Sequence, residues 1–182
     1  LMDSSLIMNL YYLDLIDSES MQCFQSSKVN YPLLVGQKNN LYKSVILNSF
    51  KTINSRGICG LLHPEGVYED PKSREFRKEL FSRLRYHFEF KNELMLFSEV
   101  HHHQKFSINI YKGKESDPQF DSISNIFAPK TIDGCFQPTS DILKGGVKVY
   151  NGITNKYEWN TKPHPERKIV FSEFTLKILA RA

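Results

Sequence analysis

The sequence predicts an α/β fold: a partial sheet with flanking helices, followed by a loop-rich C-terminal extension that holds a small hairpin. Three observations predict it. Leu41, Tyr42, Val45, Ile46, Phe50 and Ile53 repeat at the helical period of 3.6 residues. Ile58-Cys59-Gly60-Leu61-Leu62 is a short apolar run after a glycine turn, the pattern of a buried parallel strand. Lys105 to Tyr111 alternates strictly, with Phe106, Ile108 and Ile110 on one face.

Taken in order, Leu6 to Ile16 is apolar with mixed periodicity and reads as a helix. Residues 17–40 are rich in Ser, Gln and Asn, which predicts a loop with one helical turn near 18–27. The helix over 40–54 has Asn40 as its N-cap, and Gly57 suits a left-handed C-terminal cap. After the strand at 58–62, His63 to Tyr68 forms a loop at the strand's carboxyl end, where open α/β sheets place ligands. Asp70-Pro71 starts a second helix, with Phe76, Leu80, Phe81 and Leu84 as its apolar face. The two helices are expected on opposite faces of the sheet. Tyr86 to Phe90 alternates as a strand, and an elaborate loop over 92–104 joins it to the antiparallel strand 105–111. Residues 114–146, with three prolines and three glycines, read as loop with short helical turns. Val147 to Tyr150 and Lys156 to Trp159 read as a hairpin about Asn151-Gly152. Lys168 to Phe171 reads as a strand, and Ser172-Glu173 starts a last helix.

The 182 residues, 40% hydrophobic and 24% charged, suit one domain with a core and exclude a disordered tail, a collagen rod or a disulfide-stapled mini-protein. The chain opens Leu1-Met2-Asp3 and stops at Arg181-Ala182 just after an amphipathic pattern begins, so it reads as a domain that is not whole. Its net charge of +4 is uneven. Residues 1–27 carry Asp3, Asp14, Asp17 and Glu19 and no base. Lys72, Arg74, Arg77, Lys78, Arg83 and Arg85 then crowd one stretch, and Arg167 and Lys168 lie in a second. Both are candidate phosphate contacts; the plain alternative is a solvated helix face. Cys23, Cys59 and Cys135 show no paired spacing, which favours free thiols and a reducing, cytoplasmic setting. No apolar stretch is long enough to span a bilayer.

The motifs of cofactor enzymes are absent: no glycine-rich dinucleotide or phosphate loop, no nucleophile elbow, and no zinc-protease or paired-cysteine metal set. No metal site is expected. His101-His102-His103 reads as a polar loop, because successive side chains of an extended segment point in alternate directions. His63, Pro64 and Glu65, placed after a strand end, are the substrate-pocket candidates, with a structural role the leading alternative for His63.

Several blocks carry a family resemblance in order along the chain. They are Asn30-Tyr31-Pro32-Leu33-Leu34, Gly57 to Lys72, Arg83 to Phe90, Asn92-Glu93, Leu96 to Val100, Phe106 to Tyr111, Asn125-Ile126-Phe127, Thr131-Ile132-Asp133 and His164 to Val170. Together they resemble the distal part of the catalytic domain in large class I DNA adenine-N6 methyltransferases of bacterial restriction-modification and phage-defence systems. The resemblance implies a Rossmann-like sheet ordered 3-2-1-4-5-7-6, with strands 5, 6 and 7 at 58–62, 86–90 and 105–111. It divides the chain into a leader at 1–30, the distal lobe at 31–113 and an extension toward target recognition at 114–182. It implies S-adenosylmethionine as the parent's cofactor, double-stranded DNA as substrate, and the rest of the parent or other restriction-system subunits as partners. The family's glycine-rich donor motif and its Asn-Pro-Pro-aromatic catalytic loop are missing from these residues. No catalytic residue is therefore assigned, no donor binding by this chain alone is expected, and strand 5 is expected to expose an edge where strand 4 belongs. Two functions follow as expectations. The chain is a methyltransferase fragment, inactive alone, or it is a non-catalytic DNA-binding or subunit-docking module, such as a restriction or specificity subunit.

Overall fold

A computed structural model describes residues 4–38, 40–138 and 148–179. Val147 of the expected hairpin and Arg181 of the basic tail lie outside the described residues. The fold is mixed α/β, with one mixed five-stranded sheet, a separate two-stranded hairpin and short flanking helices.

The sheet is built from β1 (Ile58–Pro64), β2 (Leu84–Lys91), β3 (Lys105–Lys112), β4 (Gln119–Ile126) and β7 (Ile169–Ser172), in the spatial order β1-β3-β2-β4-β7. β3 is antiparallel to both of its neighbours, β1 and β2, so β1, expected as a buried parallel strand, is an edge strand with an antiparallel partner and alternate residues exposed. β4 runs parallel to β2, and β7 closes the far side antiparallel to β4. The outer edge of β1 pairs with no described strand. β5 (Lys148–Asn151) and β6 (Lys156–Trp159) form the hairpin; its turn spans 152–155 and ends on Asn155 at φ 52°.

β4 corrects the expectation of loop over 114–146. Its apolar residues Phe120, Ile123 and Ile126 lie three apart, which hides the strand period. A register shift against β2 after Ile123, with Asn125 at φ 54°, accounts for the spacing. Phe120 then serves one face of the sheet while Ile123 and Ile126 serve the other.

Helix α1 (Ser4–Ser26) is a single helix of 23 residues, where a shorter helix and a loop were expected. It buries none of its residues. α2 (Leu41–Thr52) ends two residues earlier than its apolar pattern suggests. Asn40 makes no side-chain cap, and Gly57 does not adopt the left-handed conformation. α3 (Gly66–Glu69) is one turn. Asp70 then accepts a hydrogen bond from the Lys72 amide at 2.9 Å and starts the turn leading into α4 (Arg74–Phe81). α5 (Lys130–Cys135) follows β4. α6 (Glu173–Leu179) follows β7, with Ser172 accepting from the Thr175 amide at 3.3 Å as its N-cap.

The two long helices of the body do not take opposite faces. Ile46, Leu47 and Phe50 of α2 and Phe76 and Leu80 of α4 share one cluster with Leu84, Tyr111 and Phe120 of the sheet. The other face packs Phe88, Phe90, Phe106, Ile123 and Ile126 against Cys135 of α5. Each fully buried side chain of this size stabilises the fold by about 1.5–3 kcal/mol. The α2–α4 face therefore holds a large share of the core, and it also carries a row of polar residues.

Candidate functional site

That polar row arises from the alternation of β3. Ser107 and Asn109 point away from Phe106, Ile108 and Ile110, yet both are fully buried because α2 and α4 cover their face. A buried polar group needs a partner: Ser107 and Asn109 bond each other, Tyr68 of α3 donates to Asn109, and Ser107 bonds Glu65, just before α3. Cross-strand register sets His63 and Ser107 opposite each other, and likewise His87 and Asn109, and Glu89 and Ser107.

At one end of the row, His63 is 3% exposed. Its Nδ1 lies 2.9 Å from the Pro64 carbonyl, which only accepts, so Nδ1 carries the proton. Nε2, 2.9 Å from the Tyr111 hydroxyl, then accepts from it. Burial pushes the imidazole below its ordinary pKa, in keeping with that neutral tautomer. Tyr68 donates to Asn109 Oδ1 at 2.8 Å, and its oxygen lies 3.0 Å from that of Tyr111. Burial raises both phenols, so both stay protonated. Asn109 Nδ2 donates to Ser107 Oγ at 2.7 Å.

Glu65 occupies the other end. Burial pushes its carboxyl up, but hydrogen bonds from His87 and Ser107 and the attraction of the His87 ring outweigh that, so its pKa lies below the ordinary value. His87 Nε2 sits 3.2 and 3.3 Å from the two carboxylate oxygens, and Nδ1 sits 3.0 Å from Ser122 Oγ. Carboxylate, imidazole and hydroxyl thus stand in hydrolase order. Ser122, however, lies mid-strand and is 5% exposed, so no substrate carbonyl reaches it, and the set is a structural relay.

A cleft of about 460 Å³ opens at the carboxyl end of β1. Asn40, Tyr42, Pro64, Glu65, Gly66, Glu69 and 103–105 line it. Pro64 and Glu65, two of the pocket candidates, therefore meet a cavity, whereas His63 is committed to the network behind it. The ring of Tyr42 stacks on His63, with centroids 5.9 Å apart. Lys105 pairs with Glu69 at 3.4 Å and with Glu89 at 3.5 Å. Tyr42, Ser107 and Asn109 were absent from the sequence-derived candidates. The one signal for Ser107 and Asn109 was their polar half of the β3 alternation, which looks like a solvated face until helices are placed on it.

The basic candidates separate into free and engaged side chains. Lys72, Arg74 and Lys78 are exposed on and before α4. Arg85 is exposed, with its guanidinium 5.3 Å from the centre of the Tyr86 ring. Arg77 donates to the Asp70 carbonyl. Arg83 bonds Glu79 at 2.8 Å and lies over Phe50. Lys168 stands 3.6 Å from Asp121 and over Phe136. Arg167 is buried and donates to the carbonyls of Lys162, Ser124 and Asn125 at 2.8–3.2 Å. Its geometry makes it a brace between β4 and the 162–167 segment.

His101, His102 and His103 are exposed, with ring centroids 3.9–5.3 Å apart. Among the described residues no group of three or more His, Cys, Asp or Glu is placed to hold a metal. Among them, too, no helix is long and apolar enough to cross a membrane. No protein-family model matches this chain, and no curated protein matches it.

Proposed function

We propose that the chain is the distal lobe of a bacterial restriction-modification or phage-defence DNA methyltransferase acting on N6 of adenine. One observation supports this reading above the others: residues 58–64, 105–112 and 84–91 lie side by side in that order, with the middle strand antiparallel to both neighbours. A class I methyltransferase sheet ends in strands 5, 7 and 6 arranged in this way. The unpaired edge of β1 is where strand 4 of such a sheet would dock. The sheet also departs from that plan, because β4 and β7 extend it beyond β2.

S-adenosylmethionine belongs to the parent in this reading. The residues here do not fit it: β1 ends on a proline, and a carboxylate with a single glycine follows, not a run of glycines offering amides. The part played by this lobe is DNA contact. Lys72, Arg74, Lys78 and Arg85 neutralise phosphates and so position the duplex without reading its sequence.

A second reading, a non-catalytic docking module of a restriction complex, draws on α1. Leu6, Ile7, Leu10, Leu13 and Ile16 are each about half exposed. A helix apolar on all sides is normally buried in a larger assembly.

Titration of the chain with duplex DNA at low and high salt, and separately with S-adenosylmethionine, tests both readings. The expected result is salt-sensitive duplex binding and no donor binding. Donor binding by this chain alone overturns the claim that its donor site is missing. Absence of duplex binding at low salt removes the DNA reading and leaves docking.

A further inference from the structure

The face of the sheet opposite α2 and α4 is covered unevenly. α5 covers it over β2 and β4 through Ile132 and Cys135. Over β1 and the middle of β3 it lies open. Ile108 belongs to this face. Cross-strand register sets Leu62 beside Ile108 and Gly60 beside Ile110, and alternation adds Ile58. Ile58 is 74% exposed and Leu62 54%, so no described element rests on this corner. Gly60 leaves its middle flat: a Cβ there would stand 3.4 Å from Ile110, and without one a helix can approach closely. The Ile58 end is basic. Arg56 is exposed two residues before Ile58, and the guanidinium of Arg85 stands over Tyr86, which packs on this face. Lys112, opposite Ile58, pairs with Glu115, whereas Arg56 and Arg85 form no ion pair among the described residues.

Helix α1 has the complementary character. It is apolar, buries no residue and carries no base. Leu6, Leu10 and Leu13 form a stripe at helical spacing, and Asp17 continues it one turn on. Asp14, Asp17 and Glu19 form no ion pair among the described residues. The stripe from Leu6 to Asp17 is about 16 Å long, and β1 offers a strand of about 20 Å. Its own chain cannot lay α1 there. The C-terminal end of α1 is tied to Tyr31: Phe24 packs edge-on to that ring, and Asn30 donates to the Phe24 carbonyl at 3.1 Å. Tyr31 is buried in the α2–α4 cluster, where its hydroxyl accepts from Asn48 of α2 at 3.1 Å. Passing from that helix layer to the opposite one takes about 20 Å, at roughly 10 Å per packed layer. Residues 27–30, fully extended, span about 14 Å. A second copy is free of this limit.

We propose that α1 of one copy docks on the open β1–β3 corner of a second copy, antiparallel to β1. Its leucine stripe lies over Gly60 and Leu62, and Asp17 meets Arg56 and Arg85. The exchange is reciprocal and gives a closed twofold dimer. The inference deepens the docking reading of α1 by naming its partner. It is independent of duplex contact through α4, which sits on the other face of the sheet.

Sedimentation equilibrium of the full chain over a range of concentrations tests it. A reversible dimer is expected. Leu62→Asp in the corner and Leu10→Asp in α1 each bring a charge into the contact and are expected to weaken it tenfold or more. Both side chains are about half exposed, so thermal midpoints are expected to stay near native; if Leu62→Asp does not fold, Ile58→Asp takes its place. Mixed in equal amounts, the two variants are expected to form a heterodimer through the one contact left intact, tighter than either variant alone. Asp17→Lys, which sets like charges at the arginine end, is expected to weaken the dimer severalfold at low salt. A native chain that stays monomeric overturns the proposal. So does a dimer indifferent to Leu62→Asp, which is a pairing of two α1 helices, or one indifferent to Leu10→Asp, which is a pairing of two corners. A mixture no tighter than its components, or an unchanged Asp17→Lys dimer, also overturns it. A monomer that binds duplex loses only this inference; a dimer that does not bind duplex keeps it and removes the DNA reading.

Discussion

Arg167 turns its guanidinium to three backbone carbonyls, two of them, Ser124 and Asn125, in the irregular end of β4. Its burial lowers its pKa without neutralising it. Removing the side chain leaves those carbonyls without their charged donor. Arg167→Ala is expected to cost on the order of 3 kcal/mol, read by urea denaturation, with DNA affinity unchanged in the fraction that folds. A phosphate-binding arginine would show the opposite pattern.

His63 sets a pH dependence at the same scale. Its folded-state pKa lies below its ordinary value of 6.5, so the unfolded chain takes up its proton first. The stabilising contribution of the neutral imidazole is intact above that value and is lost as pH falls below it. Glu65, also lowered, adds a second loss below its ordinary 4.5. Denaturation midpoints are expected to fall between pH 7.5 and 5.5 in the native chain and to change less in a His63→Gln variant. A steeper fall in the variant would contradict the neutral tautomer assigned here.

Among the elements, α4 separates charge that solvates from charge that braces. Neutralising Lys72, Arg74 and Lys78 together is expected to leave the thermal midpoint near native and to reduce the salt slope of duplex binding by about three. Arg83→Ala, by contrast, removes one of the two partners of Glu79, leaving Lys114, and the cation over Phe50, so its effect falls on stability. The six basic residues between Lys72 and Arg85 look alike in sequence. What divides them is whether an acceptor lies within reach, and that depends on tertiary placement. The legibility of the strands follows similar lines. β3 was readable because its two faces differ in residue type along its whole length. β4 was not, because one bulge converts its period of two into a spacing of three. α1 was cut short because Ser and Gln weaken a helix locally without ending it.

For the whole molecule, the α/β class and the antiparallel pairing of β2 with β3 were legible from periodicity and from the long connection between them. The shared face of α2 and α4 was not, because an amphipathic helix reports that it packs but not on which side of a sheet. The candidate site followed the same division. Pro64 and Glu65 were found because they follow a strand end, a topological position that sequence reveals. Tyr42 comes from a separate helix, and only the folded chain brings it to the same cleft.

The insertion of β3 between two strands that precede it in the chain has a kinetic consequence. β1 leaves the ribosome long before its only partner among the described residues, since Ile58 pairs with Lys112, and the outer edge of β4 waits for β7, since Gln119 pairs with Ser172. No strand of the sheet has a tight-hairpin neighbour to nucleate on, so loop closure precedes most of the pairing. Such a topology has high contact order and folds slowly, with apolar strand edges exposed meanwhile. Among the described residues, tight-hairpin pairing is confined to β5–β6, which lies outside the sheet. In a growing chain, β1 and β2 therefore depend on other surfaces for protection until residue 112 has emerged.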